Sequence, residues 1–307
     1  MFTCLCKETL GNTGQASCQN IAKVTKKIFV VPLYANDGTR NGYTVATPLT
    51  QNVLDALINQ ADASKRWYPL PELETVTNTR ADSTFETAPS GKKAFIKQGI
   101  RNFSAEIWNE SSLYKAQLDK LRCAGAGVYL VDAEGSLRGM ATTASEATLY
   151  PIEIDKASWD VRLIEATDST IGKLMLSFDW EQNEDDALLR MISAASIDAD
   201  LLGAKGLLDI IGADLGTGQT SLIIKLTNKI SGNLADADFC SGLVAGDFAL
   251  YNDTDAAAVT VLTAVENPTT KSYTLTYASQ TVADLMTLTV TKAGKDFTQV
   301  STLVLTV

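Results

Sequence analysis

The side chains best suited to chemistry in this sequence are carboxylates. Glu106, Glu153, Asp155, Asp160, Glu165 and Asp179 all fall in segments that read as strands, and two acids are enough for glycoside hydrolysis. Strand alternation turns most of them toward solvent, and nothing in their spacing selects one pair. Trp67, Trp108, Trp159 and Trp180 could line a sugar cleft, although tryptophans in a β domain more often build core or interface. Histidine is absent from all 307 residues. That removes the Ser-His-Asp and Cys-His nucleophile systems, the His-ligated zinc hydrolases and the His-carboxylate iron oxygenases together. The expectation is a chain that is not an enzyme, with no catalytic, cofactor-binding or metal-ligating residues and no cofactor.

Other motifs carry little more. Gly212-Ala-Asp-Leu-Gly216-Thr-Gly218-Gln-Thr-Ser has the glycines of a phosphate loop but lacks the Lys that reaches the phosphates, so it reads as an interdomain turn. Asp198-x-Asp200 and Asp253-x-Asp255 lack the Gly and Glu that complete an EF-hand loop; polar turns are the expectation and a looser surface calcium site the alternative. Cys4, Cys6, Cys18, Cys123 and Cys240 are odd in number, which excludes a complete disulfide framework, and their spacing does not match a zinc site. Lys92, Lys93, Lys97 and Arg101 lie close together, with Lys93, Lys97 and Arg101 on one side of an extended strand. They suit a solvated, cation-protected strand edge, an intersubunit contact or a patch facing a polyanion.

The net charge of −10 is uneven. Residues 1–130 carry 15 Lys/Arg and 11 Asp/Glu, a balance of +4, and the remaining 11 basic and 25 acidic residues leave −14 for 131–307. An acidic whole argues against specific nucleic-acid binding and against an anionic membrane surface. A positive front and a negative back permit head-to-tail stacking of copies. The opening Met-Phe-Thr-Cys-Leu-Cys-Lys-Glu has no apolar core of signal-peptide length, and no stretch approaches the ~20 apolar residues of a transmembrane helix. Synthesis in a reducing cytoplasm is expected.

The elements that must position these groups are mostly strands. Ile28–Val31 before Pro32 is one. Residues 50–63 place Val53, Leu54, Leu57, Ile58 and Ala61 on one helical face, with Thr47 or Thr50 as N-cap. Trp67 to Gly91 holds three prolines and little apolar periodicity, and reads as a long loop, 67–91. Ala94–Trp108 reads as one long strand or as a strand bent at Gly99. A helix over 110–123 follows, with Leu113, Leu118 and Leu121 inward, capped by Asn109 or Ser111 and ended by Gly125. Val128–Val131 and Ser136–Met140 flank the hairpin turn Asp132–Gly135. Strands are expected over 147–154, 158–166 and 173–180. Glu184-Asp185-Asp186 then opens a helix carrying Leu188, Leu189 and Ile192.

Beyond residue 200, glycines from Gly203 to Gly232 punctuate a linker-like zone. The last ~90 residues read as alternating Thr-rich strands around turns at ENPTTKS and KAGKD, a small β-sandwich. The whole is mainly β (α+β), with an assembly domain over 1–205 and an immunoglobulin-like sandwich over 206–307.

The order of these elements resembles the tail-tube proteins of tailed bacteriophages. The stretches TFETAPSGKKAFIKQGIRNFSAEIW (84–108) and VRLIEATDSTIGKLMLSFDWEQNEDDALLRMI (161–192) carry the likeness. The C-terminal sandwich is similar to the one some siphophage tube subunits bear outside the tail. The resemblance implies a β-sandwich or barrel with one or two packed helices, self-associating into stacked rings, usually hexameric, around a channel. DNA would pass through it without specific binding, and the long loop would reach a neighbouring subunit or ring. The expected role is therefore a virion structural protein that contacts other tail proteins. A head–tail connector ring, a head decoration protein and a glycan-binding adhesin module are the alternatives.

Overall fold

Four consecutive apolar residues, Ile28, Phe29, Val30 and Val31, form the centre of the first strand, β1 (Thr25–Pro32), and all four are buried. A run that is apolar on both faces suits a strand covered on both sides. The computed structural model describes residues 21–60, 62–108, 111–122, 125–143, 147–182, 186–207, 210–228, 239–291 and 303–306. The chain divides into two compact units, one of Met1–Glu110 with Leu118–Ala204 and one of Ser111–Gln117 with Lys205–Val307. Strands take 49% of the chain and helices 11%, so the fold is mainly β. Among the described residues no sheet closes into a barrel.

In the first unit β1 leads to β2 (Tyr43–Thr44), β3 (Leu49–Thr50), α1 (Gln51–Ile58), β4 (Tyr68–Pro69) and β5 (Glu74–Arg80). Then come β6 (Thr84–Thr87), β7 (Lys93–Lys97), β8 (Arg101–Trp108) and, at the division between the units, α2 (Ser112–Asp119). The strands after it are β9 (Ala126–Asp132), β10 (Leu137–Met140), β11 (Thr148–Leu149) and β12 (Ile152–Glu153). Last are β13 (Asp160–Ile164), β14 (Lys173–Asp179), β15 (Leu189–Ile192) and β16 (Ile197–Asp198).

One sheet has the order β15-β10-β9-β1-β4, with β12 also on β9, and a second has the order β13-β14-β8-β5. Main-chain bonds join them where Glu181 N donates to Glu153 O (3.1 Å) and Asp155 N to Asp179 O (2.9 Å). Aromatic rings fill both cores. Trp67 lies over Tyr129 with centroids 4.6 Å apart, and Phe103 stacks on Phe178 at 4.9 Å. Such pairs add about 0.5–1.5 kcal/mol each beyond the area they bury.

Where turn chemistry is local, sequence and structure agree. Asp132 Oδ1 accepts from Glu134 N (3.0 Å) and Ser136 N (2.9 Å), and Gly135 takes the positive φ (+86°) that closes the hairpin between β9 and β10. The long strand is interrupted at Gly99, where a Cβ would stand 1.8 Å from the Ala81 carbonyl oxygen. Helix α1 is shorter than expected. It buries Leu54 and Ile58, and it stops where Asn59 turns both its backbone N–H and its Nδ2 onto Asp55 O, each at 2.8 Å. Thr50 stands at the N-cap but its side chain makes no capping bond. In α2, Ser111 Oγ accepts from Tyr114 N (3.1 Å) and Leu118 is buried, while Leu113 is exposed rather than inward. Ala61 and Asn109 lie outside the described residues.

Three expectations are corrected. Residues 67–91 are not a loop, because β4, β5 and β6 occupy much of the span. Thr75, Thr77 and Thr79 form the outward face of β5, so there is no apolar period to read, although β-branched residues suit a strand. The helix expected after Glu184 is a single short 3-10 turn at Asp186–Leu188 followed by β15. There the open edge of β10 supplies backbone partners from Leu137↔Ile192 to Met140↔Leu189, and that pairing overrides a helical pattern. Among the described residues the expected terminal helix is therefore not formed; Glu184 and Asp185 lie outside them.

The third correction concerns the glycines at 212–218. They belong to β17 (Ile210–Thr217), which pairs with β18 (Ser221–Asn228) through a bulge between Asp214 and Gly216. The segment is an edge strand and its turn, not an interdomain connection. The second unit continues with β19 (Phe248–Asn252), β20 (Ala257–Val259), β21 (Val261–Asn267), β22 (Ser272–Tyr277), β23 (Leu285–Val290) and β24 (Leu303–Thr306). Its sheets, β17-β18-β22-β21 and β20-β19-β23-β24, share one core. Leu222, Ile224 and Leu275 meet Phe248, Leu250, Met286 and Leu288 there, which makes a two-layer sandwich. At the expected ENPTTKS turn, Asn267 Oδ1 accepts from Thr269 N (3.0 Å) and Thr270 N (3.2 Å). The KAGKD turn lies outside the described residues.

Candidate functional site

The six candidate carboxylates do not converge. Glu106 on β8 accepts from Lys173 Nζ at 2.6 Å and from Thr75 Oγ1 and Trp108 Nε1 at 3.1 Å. The Lys173 bond is the main reason its carboxyl titrates below the ordinary glutamate range. Asp160 pairs with Arg162 (3.1 Å) and Arg122 (3.5 Å), Asp179 accepts from Asn102 Nδ2 (2.8 Å), and Asp155 accepts from Ala157 N (2.9 Å). Glu153 lies on β12, and Glu165 is exposed just past β13. Trp67, Trp159 and Trp180 are buried core and only Trp108 is half exposed, so the tryptophans line no sugar cleft.

The paired aspartates serve turns and strand ends. Asp200 Oδ1 accepts from Gly203 N (2.8 Å), Asp253 Oδ2 from Thr287 Oγ1 (2.6 Å) and Asp255 Oδ2 from Asn252 Nδ2 (3.2 Å). Cys240 is buried in the core of the sandwich, and Cys4, Cys6, Cys18 and Cys123 lie outside the described residues. No helix among the described residues is long and apolar enough to cross a membrane.

Two features are built differently from ordinary surface. The first is an arm. The hairpin of β5 and β8 closes where Ala81 N donates to Ile100 O (2.9 Å), and beyond it β6 and β7 pair only with each other. Every residue of β6 and β7 is exposed. Phe85 and Phe95 meet edge to face across the ribbon at 5.8 Å while remaining 51% and 62% exposed, and Ile96 is exposed beside them. Lys93 and Lys97 sit on this arm; Arg101, grouped with them by spacing, belongs to the second feature.

That second feature is a cleft of about 820 Å³ in the first unit. Arg80 on β5 and Arg101 on β8 enter from one sheet, and Arg138 on β10 and Arg190 on β15 from the other. A much smaller pocket that shares Arg101, Arg138 and Asp186 with it is lined by Leu130, Ile152 and the buried Trp180. Asp186 is the acid of the cleft, with Oδ1 3.2 Å from Arg80 Nη2 and 3.1 Å from Arg101 Nη1. Arg138 is half-buried; its backbone pairs with Met191 and Leu130, and its guanidinium makes no hydrogen bond or ion pair with a described residue. Burial, and then the positive charge of Arg101, hold its guanidinium below the ordinary arginine range, with Asp186 opposing. Only Arg101 of this cluster stood out in the sequence. The others come from strands far apart in the chain, and the one local signal was a cation inside the short apolar runs Leu137–Met140 and Leu189–Ile192. Compared with known protein families, curated proteins and solved structures, the chain matches none.

Proposed function

We propose that this chain is a structural subunit that polymerises with copies of itself and does no bond-making work. The kind we favour is the phage tail-tube subunit, forming stacked rings in a virion around a channel for DNA, with the C-terminal sandwich as an appendage. The observation that carries the reading is the β6–β7 arm. A two-stranded ribbon is marginal in water on its own. This one also holds Phe85, Phe95 and Ile96 in solvent, the type of apolar patch that a protein–protein contact covers. Its occupant is a second copy on grounds of charge: Lys92, Lys93 and Lys97 cluster on the arm of a chain whose net charge is −10, so a neighbouring copy offers a predominantly acidic surface.

The test replaces residues 83–98 by a short glycine-containing turn, which keeps the Ala81–Ile100 closure of the β5–β8 hairpin. Negative-stain microscopy and light scattering of the full chain should show rings or tubes, and the shortened protein should remain folded and monomeric. A full chain that stays monomeric at every concentration, or a shortened one that polymerises equally well, would refute the reading.

A further inference from the structure

We propose that the cleft between β5–β8 and β10–β15 is a binding site for a phosphoryl oxyanion with several negative charges, of the pyrophosphate or tripolyphosphate class. The inference is independent of self-assembly and concerns the isolated chain. Among the described residues four guanidinium groups and one carboxylate line the space, and Arg80, Arg101 and Arg138 alone outnumber Asp186, an excess of cations that favours an anionic occupant. Arg80 and Arg101 are only 23% and 22% exposed at their side chains, so their charges are partly desolvated and the field in the cleft is stronger than on open surface. Asp186 meets both of them through a single oxygen, and Arg101 Nε also donates to Asn78 Oδ1 at 2.9 Å. Each guanidinium carries five N–H donors, which leaves most of theirs, and those of Arg138, directed elsewhere.

Geometry separates phosphoryl groups from carboxylates. A carboxylate presents its acceptors in a single plane. The arginines here approach from two different sheets, and a tetrahedral oxyanion offers acceptors in several directions at once, which suits donors converging from both walls. The small pocket that shares Arg101, Arg138 and Asp186 with the cleft is apolar at Leu130, Ile152 and Trp180, and Trp180 is buried with Arg101 over its ring at 5.9 Å. None of the described residues that line the cleft is aromatic, so recognition would rest on the phosphates alone.

Calorimetry of the full chain with tripolyphosphate at low salt, with citrate as a carboxylate of similar charge, tests this. Tripolyphosphate is expected to bind once per chain, more tightly than citrate, and to weaken as salt rises. Arg138→Gln should lose at least about tenfold in affinity, the loss of one charge-assisted bond. Arg138→Lys, which keeps the charge and removes the fork, should also lose affinity. Asp186→Asn should bind more tightly, because the competing carboxylate is gone. Lys156→Gln, at an exposed lysine outside both the cleft and the arm, should bind like the parent. No binding, equal preference for citrate, or an Arg138→Gln protein that is folded by circular dichroism and binds unchanged would overturn the proposal. So would chains that associate through the cleft, lost on Arg138→Gln, without taking up tripolyphosphate, since acidic side chains of another copy would then be its occupant.

Discussion

Arg80 and Arg101 are register partners across β5 and β8, and both guanidinium groups close on the same oxygen of Asp186, at 3.2 and 3.1 Å. Like charges directly opposite each other destabilise a strand pair by a few tenths to about 1 kcal/mol. Asp186 therefore offsets a repulsion between the two arginines rather than adding a bond to a neutral pair. Asp186→Asn is expected to destabilise the first unit by about 1 kcal/mol, and adding Arg80→Gln to it should recover part of the loss. Urea melts of the single and double variants check this; an additive double variant would show that the arginines do not repel.

Glu106 and Lys173 make the shortest ion pair of the β8–β14 ladder, with side chains 14% and 23% exposed. Because the folded carboxyl titrates below its unfolded value, the stability it contributes is complete above the ordinary glutamate pKa of about 4.3 and fades as pH falls through that value toward the folded one. Glu106→Gln should cost about 1–2 kcal/mol at ~pH 7 and much less at ~pH 3. Paired denaturation curves at the two pH values measure it, and a cost that did not shrink in acid would contradict the assignment.

Gly99→Ala places a methyl group 1.8 Å from the Ala81 carbonyl oxygen, with the Ala81 backbone rather than a flexible side chain in the way. The expected cost is about 1–3 kcal/mol, confined to the neck of the arm. Hydrogen exchange should show faster exchange at the Ala81 amide, while the Tyr129 amide in the main sheet stays protected.

Tyr273 anchors the second unit. Its hydroxyl lies 2.9 Å from Cys240 O and 3.1 Å from Glu266 Oε2 and accepts from Leu243 N at 3.2 Å, and burial pushes its pKa up. Tyr273→Phe leaves the ring in place and orphans those partners, at a cost of about 1–3 kcal/mol. The loss should appear in the sandwich's unfolding transition and leave the first unit's transition where it was.

What was legible in the sequence follows the range of the interactions that decide each element. The hairpin at Asp132–Gly135 is set by an aspartate and a glycine within four residues and could be read, while the break at Gly99 was one of two alternatives, since alternation alone also allows an unbroken strand. The Thr-rich β5 could not, since its outward face is polar and its assignment depends on β8. Leu189–Ile192 has a helix-like pattern that only the edge of β10 overrules. The arginine cleft was legible in one of its four cations, because Arg80, Arg101, Arg138 and Arg190 become neighbours only when two sheets assemble. The carboxylates looked open to chemistry, but the structure gives Glu106, Asp155, Asp160 and Asp179 local partners.

The pairing of β10 with β15 also bears on how the chain is made. Leu137 bonds to its near neighbour in β9 but also to Ile192. A polypeptide leaving the ribosome therefore carries a finished β9–β10 hairpin whose outer margin stays uncovered until Ile192 has cleared the exit tunnel. Until then, crowded nascent chains have the same open margin to offer one another.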